Sequence, residues 1–302
     1  MIFLDKTADS DYTVFIPFEK EVSLNMKDLR ILTVQDISCV GQCSLTVALP
    51  ILSACGIETA ILPSAVLSTH TGGFHGFTFR DLTEDLPAIA AHWQKENIKF
   101  DAIYTGYLGS ARQIDEVKAI MNTLLADGGL RIVDPAMADN GKLYVGFDAA
   151  FVEEMKKLVF SADIILPNIT EACLLTDSEY KEEYDRAYTD LLIEKMVYAG
   201  AKKIVLTGVS YRPGKTGVLV CEDGKQTYYE HEHLKPGCHG TGDVYASAFV
   251  GALLRGKTLP EAAKIAADYV LDCITYTHKD PSHWYGVHFE ACLPGLIRSL
   301  EK

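Results

Sequence analysis

Short β-rich runs alternate with amphipathic helical segments along most of this chain, and that alternation limits its fold more than any other feature. Ile31–Val34 reads as a buried strand, and a helix over Ser44–Cys55 follows it and stops at Gly56. Thr59–Leu62 is the next strand, and Asp81–Glu96 predicts a helix with Leu82, Leu86, Ile89 and Trp93 on one face. Asp101–Thr105 is a strand, and Ile114, Val117, Ile120 and Leu124 mark a helix that the Gly128-Gly129 pair stops. Arg131–Val133, Asp163–Leu166 and Lys203–Leu206 are further strands. Gly217–Cys221 and Gln226–Glu230 form a hairpin, and helices fall near Gly242–Arg255, Leu259–Tyr276 and Val287–Leu300. Strands alternating with helices predict α/β architecture: a single-domain three-layer sandwich whose central, mostly parallel sheet is covered on both faces.

Length alone would suggest two domains for 302 residues. No internal repeat or low-complexity linker divides the chain, so one domain over residues 26–302 is expected. Residues 1–25 precede the α/β pattern, as an arm, as an edge strand over Tyr12–Pro17 or as an upstream start. Acidic residues run through this N-terminal stretch and it has no apolar core region, so it does not read as a signal peptide. The longest apolar stretch, Leu45–Ile57, is interrupted and too short to span a bilayer.

With 28 basic and 41 acidic residues the net charge is −13, which argues against nucleic-acid or anionic-membrane partners. The eight cysteines are dispersed, as in a reduced cytoplasmic protein, and Cys39 and Cys43 have no second pair with zinc-site spacing. Cys238 reads as a buried, inert thiol. His231-Glu232-His233 reads as an exposed polar loop, and Asn168-Ile169-Thr170 matches a glycosylation acceptor without consequence in a cytosolic chain.

Ligands of open α/β sheets sit beyond the strand ends. Asp36 and Ser38 follow the first strand here, Gly106 and Tyr107 another, and Asp134, Asn168 and Thr207 three more. Gly208 to Thr216 looks like a phosphate loop but has five residues between its glycines, and a strand rather than a helix follows Lys215-Thr216. Lys215 is kept as a residue near nucleotide. Gly240-Thr241-Gly242-Asp243 is the strongest motif: glycines admit close backbone approach, and a helix start offers free amides to an anion. Those amides suit a transferring phosphoryl group, and the Asp243 carboxylate suits the proton of an attacking hydroxyl.

Gly240-Thr241-Gly242-Asp243 resembles the signature of the ribokinase-like superfamily. Ser68–Gly72, Tyr104–Ser110, Val133–Met137 and Asp163–Glu171 occur in the order found in pyridoxal kinases, and the resemblance spans roughly Leu32 to Thr277. It implies a homodimeric enzyme that uses ATP and Mg²⁺, with K⁺ as a further cation, to phosphorylate the 5′-hydroxymethyl group of pyridoxal, pyridoxine or pyridoxamine. It implies Asp243 as base and Gly240, Thr241 and Gly242 as the anion hole. Asp36, Thr71 and Tyr107 would face the pyridine ring. Asp134, Asn168 and Glu171 would organise Mg²⁺ and phosphates, and Thr207 would contact ATP phosphate. Asp36 stands where the resemblance implies a serine. Hydroxymethylpyrimidine kinases of the same fold are the nearest alternative, although such relatives usually carry cysteine at the Asp243 position. Sugar or nucleoside kinases and a non-catalytic B6-binding relative are more distant ones.

Overall fold

The structure is a computed structural model, and it describes residues 29–301. The proposed N-terminal arm, with its edge strand over Tyr12–Pro17, lies outside the described residues. In chain order the elements are β1 (Arg30–Ser38), α1 (Leu45–Ala54), β2 (Glu58–Leu67), β3 (Phe79–Asp81), α2 (Leu86–Lys95), β4 (Phe100–Thr105) and α3 (Ala111–Leu124). β5 (Leu125–Val133), β6 (Ala138–Asp139), β7 (Lys142–Leu143), α4 (Ala149–Val159), β8 (Ile164–Ile165), α5 (Ile169–Leu175) and α6 (Arg186–Tyr198) follow. β9 (Lys203–Val209), β10 (Lys215–Glu222), β11 (Lys225–Glu232), α7 (Thr241–Leu254), α8 (Leu259–Thr277), a 3₁₀ turn (Glu290–Cys292) and α9 (Leu293–Leu300) complete the chain.

Nine strands form the main sheet in the order β11-β10-β9-β8-β5-β4-β1-β2-β3. The six from β2 to β9 pair in parallel, while β3 pairs antiparallel with β2 at one edge and β10 pairs antiparallel with both β9 and β11 at the other. Side chains alternate across the inner strands. Leu32, Val34 and Ile103 enter a core with residues of α2 to α6, whereas Ile31, Ala102 and Tyr104 enter a second core with α1, α7, α8 and α9. Two buried clusters with the sheet between them make the three layers. The strand order reverses between β1 and β4, which is where a crevice opens beyond the carboxyl ends of a doubly wound sheet.

Several boundaries differ from those predicted. The helix expected from Asp81 begins at Leu86, because Phe79–Asp81 pairs with β2 and Pro87 is tolerated only in a helix's first turn. The Asp81 carboxylate instead accepts the Thr83 N–H at 2.7 Å. β5 starts directly after α3, six residues before Arg131, and a register shift against β4 absorbs Gly128-Gly129. β1 runs on through Asp36 to Ser38, and β9 through Thr207, so these residues lie within strands rather than after them. Helices α4, α5 and α6 were not anticipated. In the tail, Val287 and Phe289 precede the helix, which begins at Leu293 with Pro294 in its first turn.

Candidate active site

Four segments converge at the switch point: the end of β1 with the loop to α1, the loop after β4, the segment after β5, and the start of α7. Gly240 caps α7 at φ +78°, and a β-carbon there would lie 1.7 Å from the Gln42 carbonyl oxygen. Only glycine lets these two loops meet. At Gly242 a β-carbon would have no atom within 4 Å, so the first turn of α7 faces open space. The N–H groups of that turn have no acceptor inside the helix, and the helix dipole adds positive potential. An anion fits there. Small residues keep α7 deep in the core: Ala246, Ser247, Ala248, Gly251 and Ala252 are all buried.

Asp243 stands in that first turn. Burial pushes its carboxyl up to about 7, the Asp36 charge adds to the rise, and the Ser44 N–H opposes it. A carboxyl titrating near neutrality matches the requirement for a general base. Asp134, just beyond β5, is held well above the carboxylate range by burial, then by Glu171 and Asp243. The buried Tyr104 phenol is raised by burial and by the same two aspartates. Cys43 is raised likewise, by burial and by Asp243 and Asp36. The site therefore gathers acidic groups beside a helix start whose free amides suit an anion, and a divalent cation would reconcile the two.

The donor set tests that fit. Among the described residues no group of three His, Cys, Asp or Glu side chains could hold a metal ion unaided. Mg²⁺ keeps several waters and commonly takes one or two carboxylates with substrate phosphates, so a single carboxylate such as that of Asp134 would meet its protein requirement. Glu171 is otherwise engaged. Its Oε1 accepts the Met137 N–H at 2.9 Å and the Ala138 N–H, and its Oε2 accepts the Asn168 N–H at 2.9 Å. Asn168 completes the capping box of α5, its Oδ1 accepting the Glu171 N–H, while its Nδ2 donates to the Ala138 carbonyl. The Asn168 and Glu171 side chains thus brace the segment after Asp134, and burial lifts the Glu171 carboxyl to about 7.

The other expected residues divide. Tyr107 follows β4, half-buried, and its phenol is raised by burial, then by Asp36 and Asp81. Thr71 is exposed on the loop between β2 and β3. The neighbouring Gly72 backs onto His239, where a β-carbon would meet Nδ1 at 2.7 Å, so this loop lies over the start of α7. Thr207 bridges to Asn168, its N–H bonded to the Pro167 carbonyl at 2.9 Å. Lys215 lies at the same sheet edge, but its ammonium pairs with Glu232. Asp36 reaches the expected edge, and its oxygens accept the Ser38 hydroxyl at 3.0 Å and the Ser44 hydroxyl at 2.5 Å. His231 and Glu232 belong to β11 rather than to a loop, and Cys238 is half-buried rather than buried, with its thiol raised by burial. Ser44, Gln42, Tyr104 and His239 were not picked out as site residues beforehand. Only Ser44 carried a signal, as the polar residue opening the first helix.

The model of the phosphomethylpyrimidine kinase family matches residues 52–287. The chain belongs to that family. Among solved structures of similar proteins is a candidate phosphomethylpyrimidine kinase from Bacteroides thetaiotaomicron, crystallised with pyridoxal: 37% identical, covering 89% of this chain and 96% of that one, with a TM-score of 0.84. Pyridoxal kinase from Lactobacillus plantarum is 32% identical, covers 89% and 97%, and has a TM-score of 0.82. The pyridoxine/pyridoxal/pyridoxamine kinase of Bordetella bronchiseptica is 27% identical over 268 residues, 83% of this chain and 90% of that protein. The resemblance read from the motifs holds at the level of the family: this phosphomethylpyrimidine kinase family member is a kinase with pyridoxal kinases among its relatives. Among the described residues no helix is long and apolar enough to cross a membrane.

Proposed function

We propose that this kinase transfers the γ-phosphoryl group of ATP to the 5′-hydroxymethyl group of a B6 vitamer: pyridoxal, pyridoxine or pyridoxamine. The observation that carries the reading is Asp243, a carboxyl lifted to about 7 in the first turn of a helix whose amides face open space. The same turn thus offers a base for the acceptor hydroxyl and donors for the group it attacks. In the reaction the hydroxymethyl oxygen forms a bond to Pγ as the bond from Pγ to the β,γ-bridging oxygen breaks. The hydroxyl proton passes to Asp243, and ADP leaves with the bridging oxygen. A loose transition state lets the proton move late, so a carboxylate suffices as base. The amides of Thr241, Gly242 and Asp243 stabilise the charge on the transferring group.

Bound at Asp134, Mg²⁺ would neutralise phosphate charge, with Glu171 and Asn168 fixing the segment beside it. Thr207, next to Asn168, suits the phosphate side, while Tyr107 offers an aromatic face to the acceptor ring. Thr71, on the loop above, belongs to the acceptor side too. A Bacteroides relative crystallised with pyridoxal supports the choice of acceptor. The family model favours hydroxymethylpyrimidine as the second reading. Turnover of ATP with each B6 vitamer and with aminomethyl-hydroxymethyl-pyrimidine, in Mg²⁺ with and without K⁺, tests both. No phosphorylation of any vitamer would end the first. The homodimer implied by the resemblance belongs to the same proposal, and a sedimentation measurement tests it.

A further inference from the structure

We propose that the segment joining α8 to the 3₁₀ turn is a brace that holds the β2–β3 loop over the acceptor side of the site, acting through the His70 ring and Trp284 as positioning residues. The segment is fixed at both ends. The Thr277 hydroxyl accepts the His288 N–H at 2.8 Å, the Tyr269 hydroxyl donates to the Phe289 carbonyl at 2.8 Å, and Val287 and Phe289 enter the second core. In its middle, Gly286 backs onto the Gln42 side chain, where a β-carbon would lie 2.1 Å from Oε1. His283 Nε2 lies 3.2 Å from the same oxygen. The brace therefore rests on the loop whose backbone meets Gly240.

Two contacts join the brace to the β2–β3 loop. The first is made by His70, which is buried. Its Nδ1 accepts the Gly72 N–H at 3.0 Å, so the ring proton is on Nε2, which donates to the Tyr285 carbonyl at 2.5 Å. One neutral tautomer serves both bonds. The loop after β1 closes against the same ring, since a β-carbon on Gly41 would lie 2.0 Å from its Cδ2. The second contact is apolar. The Phe74 ring lies 4.8 Å from Trp284, and a β-carbon on Gly73 would meet the indole at 2.9 Å. His70 precedes Thr71, and Gly72 to Phe74 follow it, so the brace fixes the backbone on both sides of Thr71. Residues 75–80 are exposed and add little order of their own. An acceptor that enters beneath a preformed loop does not have to order it, and a loop in place only part of the time weakens binding by that fraction. The inference rests on the proposal that this loop belongs to the acceptor side, and it is independent of which acceptor the enzyme prefers.

The test is amide hydrogen exchange with steady-state kinetics on the full chain carrying Trp284→Ala, Trp284→Phe, His70→Gln or His70→Asn. Trp284 is 53% exposed, so its truncation should leave the melting temperature nearly unchanged. Without ligands, Trp284→Ala should speed exchange over residues 68–78 about 10-fold or more, while the amides of β1 and β4 keep wild-type rates. The acceptor KM should rise about 5–50-fold with kcat and the ATP KM little changed, because the loop is in place once the acceptor is bound. Trp284→Phe should recover most of both. His70→Gln, whose amide can still reach the Tyr285 carbonyl, should lose less than His70→Asn, which keeps only an acceptor near Gly72. Unchanged exchange over residues 68–78 in Trp284→Ala overturns the proposal. So does faster exchange with the acceptor KM unmoved, or a loss confined to kcat. If the His70 variants do not fold, the Trp284 pair decides. The acceptor used is whichever hydroxymethyl compound the wild type phosphorylates. A wild type inert toward B6 vitamers ends the substrate reading. If it takes neither compound, exchange alone decides: a loop that opens in Trp284→Ala supports the brace, and one that does not overturns it.

Discussion

The Gln42 carbonyl oxygen occupies the place a side chain on Gly240 would need, 1.7 Å from where its β-carbon would stand. The obstacle is backbone, and Gly240 is also at φ +78°, so alanine there meets a clash and a strained conformation together. Gly240→Ala should push the loop after β1 away from α7. It should lower kcat/KM by roughly 100-fold or more and cost about 1–3 kcal/mol of stability. Gly242→Ala is the contrast: its β-carbon enters open space, so the melting temperature should hold while the methyl obstructs the anion and turnover falls. Thermal melts and kinetics on the pair separate backbone strain from blocked ligand approach.

Asp243 gives a prediction whose sign is fixed by its folded pKa of about 7, above the ordinary carboxylate value. Between those two pH values the folded chain binds more protons than the unfolded one. The contribution of this group to stability is therefore full below about pH 4 and declines as pH rises to about 7. Asp243→Asn removes that penalty. Without metal or nucleotide, the variant should be more stable than wild type at pH 8, by about 1–3 kcal/mol after allowing for solvent at a half-buried side chain, and nearly equal at pH 4. Its turnover should be lost. Denaturant unfolding at the two pH values, with activity at pH 8, checks both halves.

Glu171 should behave as a structural residue first. Alanine would strip acceptors from the N–H groups of Met137, Ala138 and Asn168, and unmet buried donors cost about 1–3 kcal/mol each before relaxation. Glu171→Ala should destabilise by at least about 2 kcal/mol, and Glu171→Gln, which keeps one acceptor oxygen, by less. If Glu171 were mainly a metal ligand, both variants would fold normally and differ from wild type in Mg²⁺ dependence. A melt without metal separates the two.

The sequence made the sheet and its covering readable because the inner strands are nearly unbroken apolar runs such as Ile31-Leu32-Thr33-Val34, buried on both faces. Gly240 to Asp243 stood out because a glycine-rich helix start is local chemistry. Short elements were hidden. β3 is three residues, all exposed, and its existence depends on pairing with β2. Ser44 was hidden for a similar reason: its hydroxyl bonds an aspartate eight residues back, a contact that only the path of the loop after β1 brings about. Asn168 and Glu171 were seen as a phosphate and metal motif, and their spacing is equally that of a capping box.

Tyr107 is anchored through a stack that reaches the core. Its ring lies 5.5 Å from Phe147 at an interplanar angle of 27°, and Phe147 lies 3.9 Å from Phe151 at 2°, with Phe151 buried in α4. Aromatic pairs of this kind are worth about 0.5–1.5 kcal/mol beyond the area they bury. If Tyr107 presents its face to the acceptor ring, Phe147→Ala frees it to rotate, and the ordering lost before binding must be recovered on binding. The acceptor KM should then rise about 2–10-fold with kcat and the ATP KM unchanged, and Phe147→Leu should do less. The effect should vanish on a Tyr107→Ala background, because nothing remains for Phe147 to orient. A rise in acceptor KM of the same size on both backgrounds would mean that Phe147 contacts the acceptor itself.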